Sequence, residues 1–164
     1  MATYAPILAA EDEETDGLLL KLALRESGLR NPLVIAQDGQ IAVDYLSGEP
    51  PYQDRLIHPL PGLLLLDLKM PRMNGFEVMA WLVERPEFQH LPVVVLSSST
   101  NESDMEKARQ LGAREYLVKP NDFRKLTKML QDVAARWLGD GRAGKAFDGV
   151  GSGTLGWRRG VTCC

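Results

Sequence analysis

The sequence predicts an α/β fold: a five-stranded parallel sheet with helices on both faces. Two observations carry that expectation. Apolar runs of strand length recur with helix-length stretches between them, the alternation of a βαβ protein. One such run, Leu63-Leu64-Leu65-Leu66, reads as a buried strand that throws Asp67 out at its carboxyl end, where open parallel sheets keep their chemistry.

Each element has its own warrant in the chain. Pro6 to Ala10 is strand 1 and stops at Glu11-Asp12. Thr15 or Asp16 is the expected cap of helix 1, which carries Leu18, Leu19, Leu22 and Ala23 on one face and ends near Gly28. Leu33 to Ala36 is strand 2. Asp38-Gly39 turns into helix 2, with Ile41, Ala42, Tyr45 and Leu46 at helical spacing and Gly48 closing it. A long connection over 49–62 follows, and Pro50, Pro51, Pro59 and Pro61 favour a stiff, partly extended loop there.

After strand 3, Leu63 to Leu66, helix 3 follows Asn74-Gly75 with Phe76, Val78, Met79 and Leu82, and stops before Pro86. Pro92 to Leu96 is strand 4. Helix 4 spans about Ser103 to Leu111, with Gly112 as a left-handed cap. Tyr116 to Val118 is strand 5, and helix 5 runs from about Asp122 to Leu138 with Phe123, Leu126, Leu130, Val133 and Trp137 in one stripe. Residues 139–164 are Gly-rich and aperiodic, so an unstructured tail is expected behind a single domain over 5–138.

Bulk properties narrow the function. The 164 residues suit one core, and 45% hydrophobic with 25% charged residues describe an ordinary soluble globular protein. A net charge of -3 gives no footprint for nucleic acid. Met1 to Pro6 lacks a signal-peptide pattern, no membrane span is read, and cytoplasm is the expected compartment. The only cysteines, Cys163 and Cys164, are adjacent and terminal, so they neither staple the fold nor offer metal-ligand spacing. His58 and His90 read as surface histidines.

In the order 2-1-3-4-5, the flavodoxin-like arrangement, strands 1 and 3 are neighbours at the switch point. Glu11 and Asp12 leave strand 1, Asp67 leaves strand 3, Ser97 leaves strand 4 and Lys119 leaves strand 5. Clustered carboxylates repel unless something positive sits among them, and a hard divalent cation such as Mg²⁺ (or Mn²⁺) answers that need. Lys119 adds a point charge for a phosphoryl oxygen, and the Ser97 hydroxyl a hydrogen-bond donor. An Asp nucleophile, a metal, a lysine and a hydroxyl are what phosphoryl transfer requires.

The segments Ile7 to Glu13, Leu66 to Gly75, Pro92 to Ser97 and Gly112 to Pro120 together resemble the receiver domain of two-component response regulators, over about residues 5 to 138. The resemblance implies that Asp67 accepts a phosphoryl group from a histidine kinase or phosphotransfer protein. It implies that Glu11, Asp12, Asp67 and the backbone carbonyl of Lys69 hold the metal. Ser97 and Tyr116 match the switch positions, and the bond from Lys119 to Pro120 is expected to be cis. Helix 4, strand 5 and helix 5 would form the readout surface, for an unnamed protein target or for a homodimer. The proline-rich insertion before strand 3 further resembles stand-alone receivers paired with bacterial phytochrome kinases.

Two other readings carry less. Asp-nucleophile phosphohydrolases place a second acid two residues after the nucleophile, and here that position is Lys69. A degenerate receiver acting as a phosphorylation-independent scaffold would not need the intact Asp67, Lys119 and acidic pair.

Overall fold

The computed structural model describes residues 4–139 and the backbone of 158–160. The expected strands form as β1 (Ile7–Ala10), β2 (Leu33–Ala36), β3 (Leu63–Leu66), β4 (Val93–Ser97) and β5 (Glu115–Val118). They are all parallel and run in the order 2-1-3-4-5. A sixth strand, β6 (Arg158–Gly160), extends the sheet in parallel beside β5. The tail was expected to be unstructured throughout; β6 corrects this at 158–160, and residues 140–157 and 161–164 lie outside the described residues. The physical reason is that β5 would otherwise end the sheet with a row of unpaired backbone groups, and an added strand satisfies them.

Strand parity divides the core in two. Ile7, Ala9, Leu63, Leu65, Val94, Leu96 and Leu117 pack with α1 (Glu14–Glu26) and α5 (Phe123–Trp137). Leu8, Ala10, Leu64, Leu66, Val93, Val95 and Tyr116 pack with α2 (Gly39–Ser47), α3 (Gly75–Val83) and α4 (Glu102–Gln110). Side chains alternate across a strand, so an unbroken apolar run supplies both cores at once. A short 3-10 turn, Pro86–Phe88, joins α3 to β4, and among the described residues no helix is long and apolar enough to cross a membrane.

Helix α1 departs from its expected register. Leu18 and Leu22 are exposed, and the buried stripe is Gly17, Leu20, Ala23 and Leu24. Leucines occupy more than one side of this helix, so periodicity leaves the face open. Gly17 decides it: a Cβ there would stand 3.3 Å from Ile35 Cδ1 of β2, so the smallest residue faces the sheet. The expected caps Thr15 and Asp16 fall inside the helix, whose N-cap is Glu13. The caps of α2, α3 and α5 are Asp38, Asn74 and Asp122, each accepting backbone N–H groups of the first turn.

The proline-rich connection is tied down by one arginine. Arg55 Nη1 donates to Tyr45 O at 2.8 Å and Nη2 to Leu46 O at 2.7 Å, which satisfies carbonyls at the end of α2. Tyr45 Oη donates to Pro59 O at 2.8 Å. His58, expected at the surface, is half-buried with its ring edge-on to Tyr45 and Tyr52. The one cis peptide among the described residues is Pro50–Pro51, so the Lys119–Pro120 bond is trans, against expectation; trans is the ordinary preference of an X–Pro bond.

Gly75 seats α3 against the end of β3. Its N–H donates to Leu68 O at 3.0 Å, and a Cβ at this position would stand 2.3 Å from Asp67 O and 2.9 Å from Leu68 Cα. Both neighbours are backbone, so neither can move aside cheaply. Gly75→Ala is therefore expected to destabilise the fold by about 1–3 kcal/mol, the usual cost of overpacking. Urea denaturation measures this, and an unchanged midpoint would refute the close contact.

Candidate functional site

The rim at the carboxyl ends of β1, β3 and β5 is held by backbone hydrogen bonds that continue past the strands. Glu11 N donates to Ala36 O (2.9 Å), Asp67 N to Ala10 O (3.1 Å) and Lys119 N to Ser97 O (2.8 Å). Each functional side chain thus leaves a backbone that is already fixed. Glu11, Asp67 and Lys119 also continue the strand parity that faces α1 and α5.

Lys119 Nζ is the centre of the arrangement. It lies 2.6 Å from Glu11 Oε2, 2.9 Å from Asp16 Oδ2 and 3.1 Å from Asp67 Oδ2. Burial acts to lower the ammonium pKa, but hydrogen bonds to Glu11 and Asp16 and the charge of Asp67 outweigh it and hold the pKa above that of an ordinary lysine. Lys119 is a fixed cation at any physiological pH. Burial pushes the Glu11 carboxyl up from its usual range, and contact with Lys119 only partly offsets this.

Asp67 is buried, with Oδ1 accepting Leu68 N–H at 2.7 Å and Lys69 N–H at 3.4 Å, the second a long contact. Its other oxygen faces Lys119. One oxygen each of Glu11, Asp12 and Asp67 lie within 4.8 Å of one another. Three hard oxygen donors at that spacing suit an Mg²⁺- or Mn²⁺-sized cation. Lys69 lines a cleft beside them with Asp12, Leu68, Met70, Asn74, Phe76 and Asp104.

Ser97 is buried at the end of β4, where Oγ accepts Ser99 N–H at 3.2 Å. Tyr116 is buried too, and its hydroxyl donates to Ser99 O at 2.9 Å. Tyr116, expected at a switch position, has its ring packed in the core, because strand parity points it there.

Several contacts here escaped the sequence reading. Asp16, read as a helix cap, instead reaches Lys119; its place one turn before Leu20 on the buried side of α1 is the signal that could have found it. Ser99 Oγ donates to Asp104 at 2.7 Å, joining the loop after β4 to α4. Arg72 Nε donates to Asp38 at 2.7 Å, linking the loops after β2 and β3. Burial tends to raise the Asp38 pKa, but Arg72 and backbone N–H groups overcome it and leave it below its usual value. Glu115 is buried at the far end of β5, where Arg136 grips both its oxygens at 3.0 and 2.8 Å and Trp137 Nε1 donates as well.

Comparison with known proteins agrees with this geometry. Response regulator Rcp1 of Synechocystis is 36% identical over 132 residues, covering 80% of this chain and 88% of that protein. The Mn²⁺-bound structure of Rcp1 superposes with a TM-score of 0.72 at 35% identity, covering 82% of this chain and 94% of that one. The phosphorylated cyanobacterial phytochrome response regulator RcpA gives 0.75 at 32% identity, covering 83% and 95%. RPA3017, a response regulator in red light signalling of R. palustris, gives 0.78 at 30% identity, covering 83% and 95%. The family model for the response regulator receiver domain matches residues 7–131, and the chain belongs to that family.

Proposed function

We propose that this chain is a phosphorylation-dependent signalling module in which Asp67 receives a phosphoryl group from the phosphohistidine of a sensor kinase or phosphotransfer protein. The observation that carries the reading is the Lys119 ammonium 3.1 Å from Asp67 Oδ2, beside a carboxylate cluster of cation-binding size. The receiver occupies residues 5–138. An Asp67 oxygen forms a new P–O bond while the P–N bond of the donor breaks, and the imidazole nitrogen leaves with the electron pair. The Leu68 N–H orients the Asp67 carboxylate, and Lys119 meets the charge of the incoming group.

Glu11, Asp12, Asp67 and the backbone carbonyl of Lys69 would hold Mg²⁺ or Mn²⁺, which supplies charge neutralisation at the phosphoryl oxygens when bound. The relation to Mn²⁺-bound Rcp1 and to phosphorylated RcpA supports this choice of metal and modification. The relation to RcpA, a phytochrome response regulator, supports a phytochrome-type kinase as the partner. The chain's chemistry is confined to its own phosphorylation and dephosphorylation, and cytoplasm is the compartment that fits such a partner.

The Ser97 hydroxyl then donates to a phosphoryl oxygen. Tyr116 is already inward, so phosphorylation stabilises the present arrangement of β4, α4 and β5 by shifting a population. The face of α4, β5 and α5, where Phe123 is exposed, is the readout surface for a target or a second copy.

Incubation with acetyl phosphate or fluoroberyllate and Mg²⁺ is expected to modify wild type and not Asp67→Asn. Intact mass and the ¹H-¹⁵N NMR spectrum read this, and equal modification of both chains would defeat the phosphoacceptor reading. Mg²⁺ affinity is expected to fall as pH drops towards the Glu11 pKa, which lies above 4.5, because the proton and the metal compete for the same carboxylate. Glu11→Gln should flatten that part of the pH profile. Tyr116→Phe removes one hydrogen bond, worth about 0.5–1.5 kcal/mol, and should blunt any phosphorylation-driven change in sedimentation; an undiminished change would leave Tyr116 a packing residue.

A further inference from the structure

We infer that Asp16 is a positioning residue for Lys119: in the resting state it occupies the ammonium donor that the phosphoryl group takes over. The inference rests on the proposed role of Asp67 and adds a residue to it. An ammonium has three N–H donors and no acceptor. All three are engaged, by Glu11, Asp16 and Asp67. A phosphoryl oxygen arriving at Asp67 must therefore displace one of them.

The three partners are not equally easy to displace. The Glu11 side chain is 2% exposed and makes the shortest contact, 2.6 Å, so releasing it would strand a buried carboxylate. Asp67 is the reacting group. The Asp16 side chain is 38% exposed, and water solvates it once it lets go. Asp16 also lies outside the cluster of Glu11, Asp12 and Asp67 that would hold a cation.

The geometry that places Asp16 there is set by the helix. Asp16 sits one turn before Leu20 and next to Gly17, which packs against Ile35 of β2. No cap hydrogen bond holds its side chain, since the N-cap is Glu13. Among the described residues its side chain pairs with the lysine. The ion pair thus acts as a place-holder: it fixes Lys119 towards the rim and is surrendered when the acyl phosphate forms.

Asp16→Ala is expected to free the third donor, and with saturating Mg²⁺ to raise fluoroberyllate affinity and the rate of labelling by acetyl phosphate about two- to fivefold, the range set by partly exposed ion pairs. In the labelling reaction the P–O bond of acetyl phosphate breaks, acetate leaves, and the phosphoryl group bonds to Asp67. Asp16→Glu, which keeps the carboxylate, should return both values towards wild type. Glu14→Gln removes a neighbouring exposed charge on the same turn and should change neither. An equal gain in Glu14→Gln would show that charge alone is responsible and would overturn the inference. Unchanged or reduced affinity in Asp16→Ala would overturn it as well, even with a shifted unfolding midpoint. Wild type that takes neither reagent would overturn the phosphoacceptor reading itself, and the role of Asp16 with it.

Discussion

The ion pairs of Lys119 are the interaction on which the site depends, because they join elements that the chain keeps far apart. One ammonium at the end of β5 touches carboxylates from β1, α1 and β3. Its charge is what permits Glu11 and Asp67 to sit side by side at low exposure. Without it, two buried carboxylates would face each other beside Asp12, and burial alone already raises the Glu11 pKa. Losing one partner of a buried pair costs about 3–5 kcal/mol, mostly for the charge left behind. The site is therefore stable as a unit and poised for a cation that redistributes its charge.

That unit rests on a regular scaffold. Residue pairing places Ala10, Leu66 and Ala36 level across β1, β3 and β2, so the residues that follow emerge at one height. The backbone bonds from Glu11, Asp67 and Lys119 to neighbouring strands then carry the sheet's precision a residue further. Side chains on such a frame lose little freedom when they bind, which is the meaning of a preorganised site.

Much of this was legible in the sequence. Strand β3 and its exit to Asp67 follow from four consecutive leucines, and Asp38, Asn74, Gly48 and Gly112 mark helix ends by known cap chemistry. What escaped was decided by tertiary contact. The face of α1 was ambiguous among its leucines until Gly17 met Ile35, and the same rotation turned Asp16 from an expected cap into a partner of Lys119. Arg55 and Arg72 act on carbonyls and a carboxylate distant in the chain, and no local pattern announces such reach. Strand β6 is too short and too Gly-bordered to read as a strand; the exposed edge of β5 makes it one.

Ser99 ties this rim to the face of α4 and β5. Its N–H donates to Ser97 Oγ, its hydroxyl donates to Asp104 at the start of α4, and its carbonyl accepts the Tyr116 hydroxyl. Three groups of one residue are thus committed to three elements. A hydroxyl donates and accepts at once, so Ser97 Oγ keeps a lone pair for the Ser99 N–H whichever way its proton points, and losing that bond would leave an unpaired, partly buried donor at a cost of about 1–3 kcal/mol. The loop therefore cannot move without breaking that bond and either carrying Asp104 or releasing Tyr116. Ser99, two residues beyond Ser97, thus ties the end of β4 to both α4 and β5.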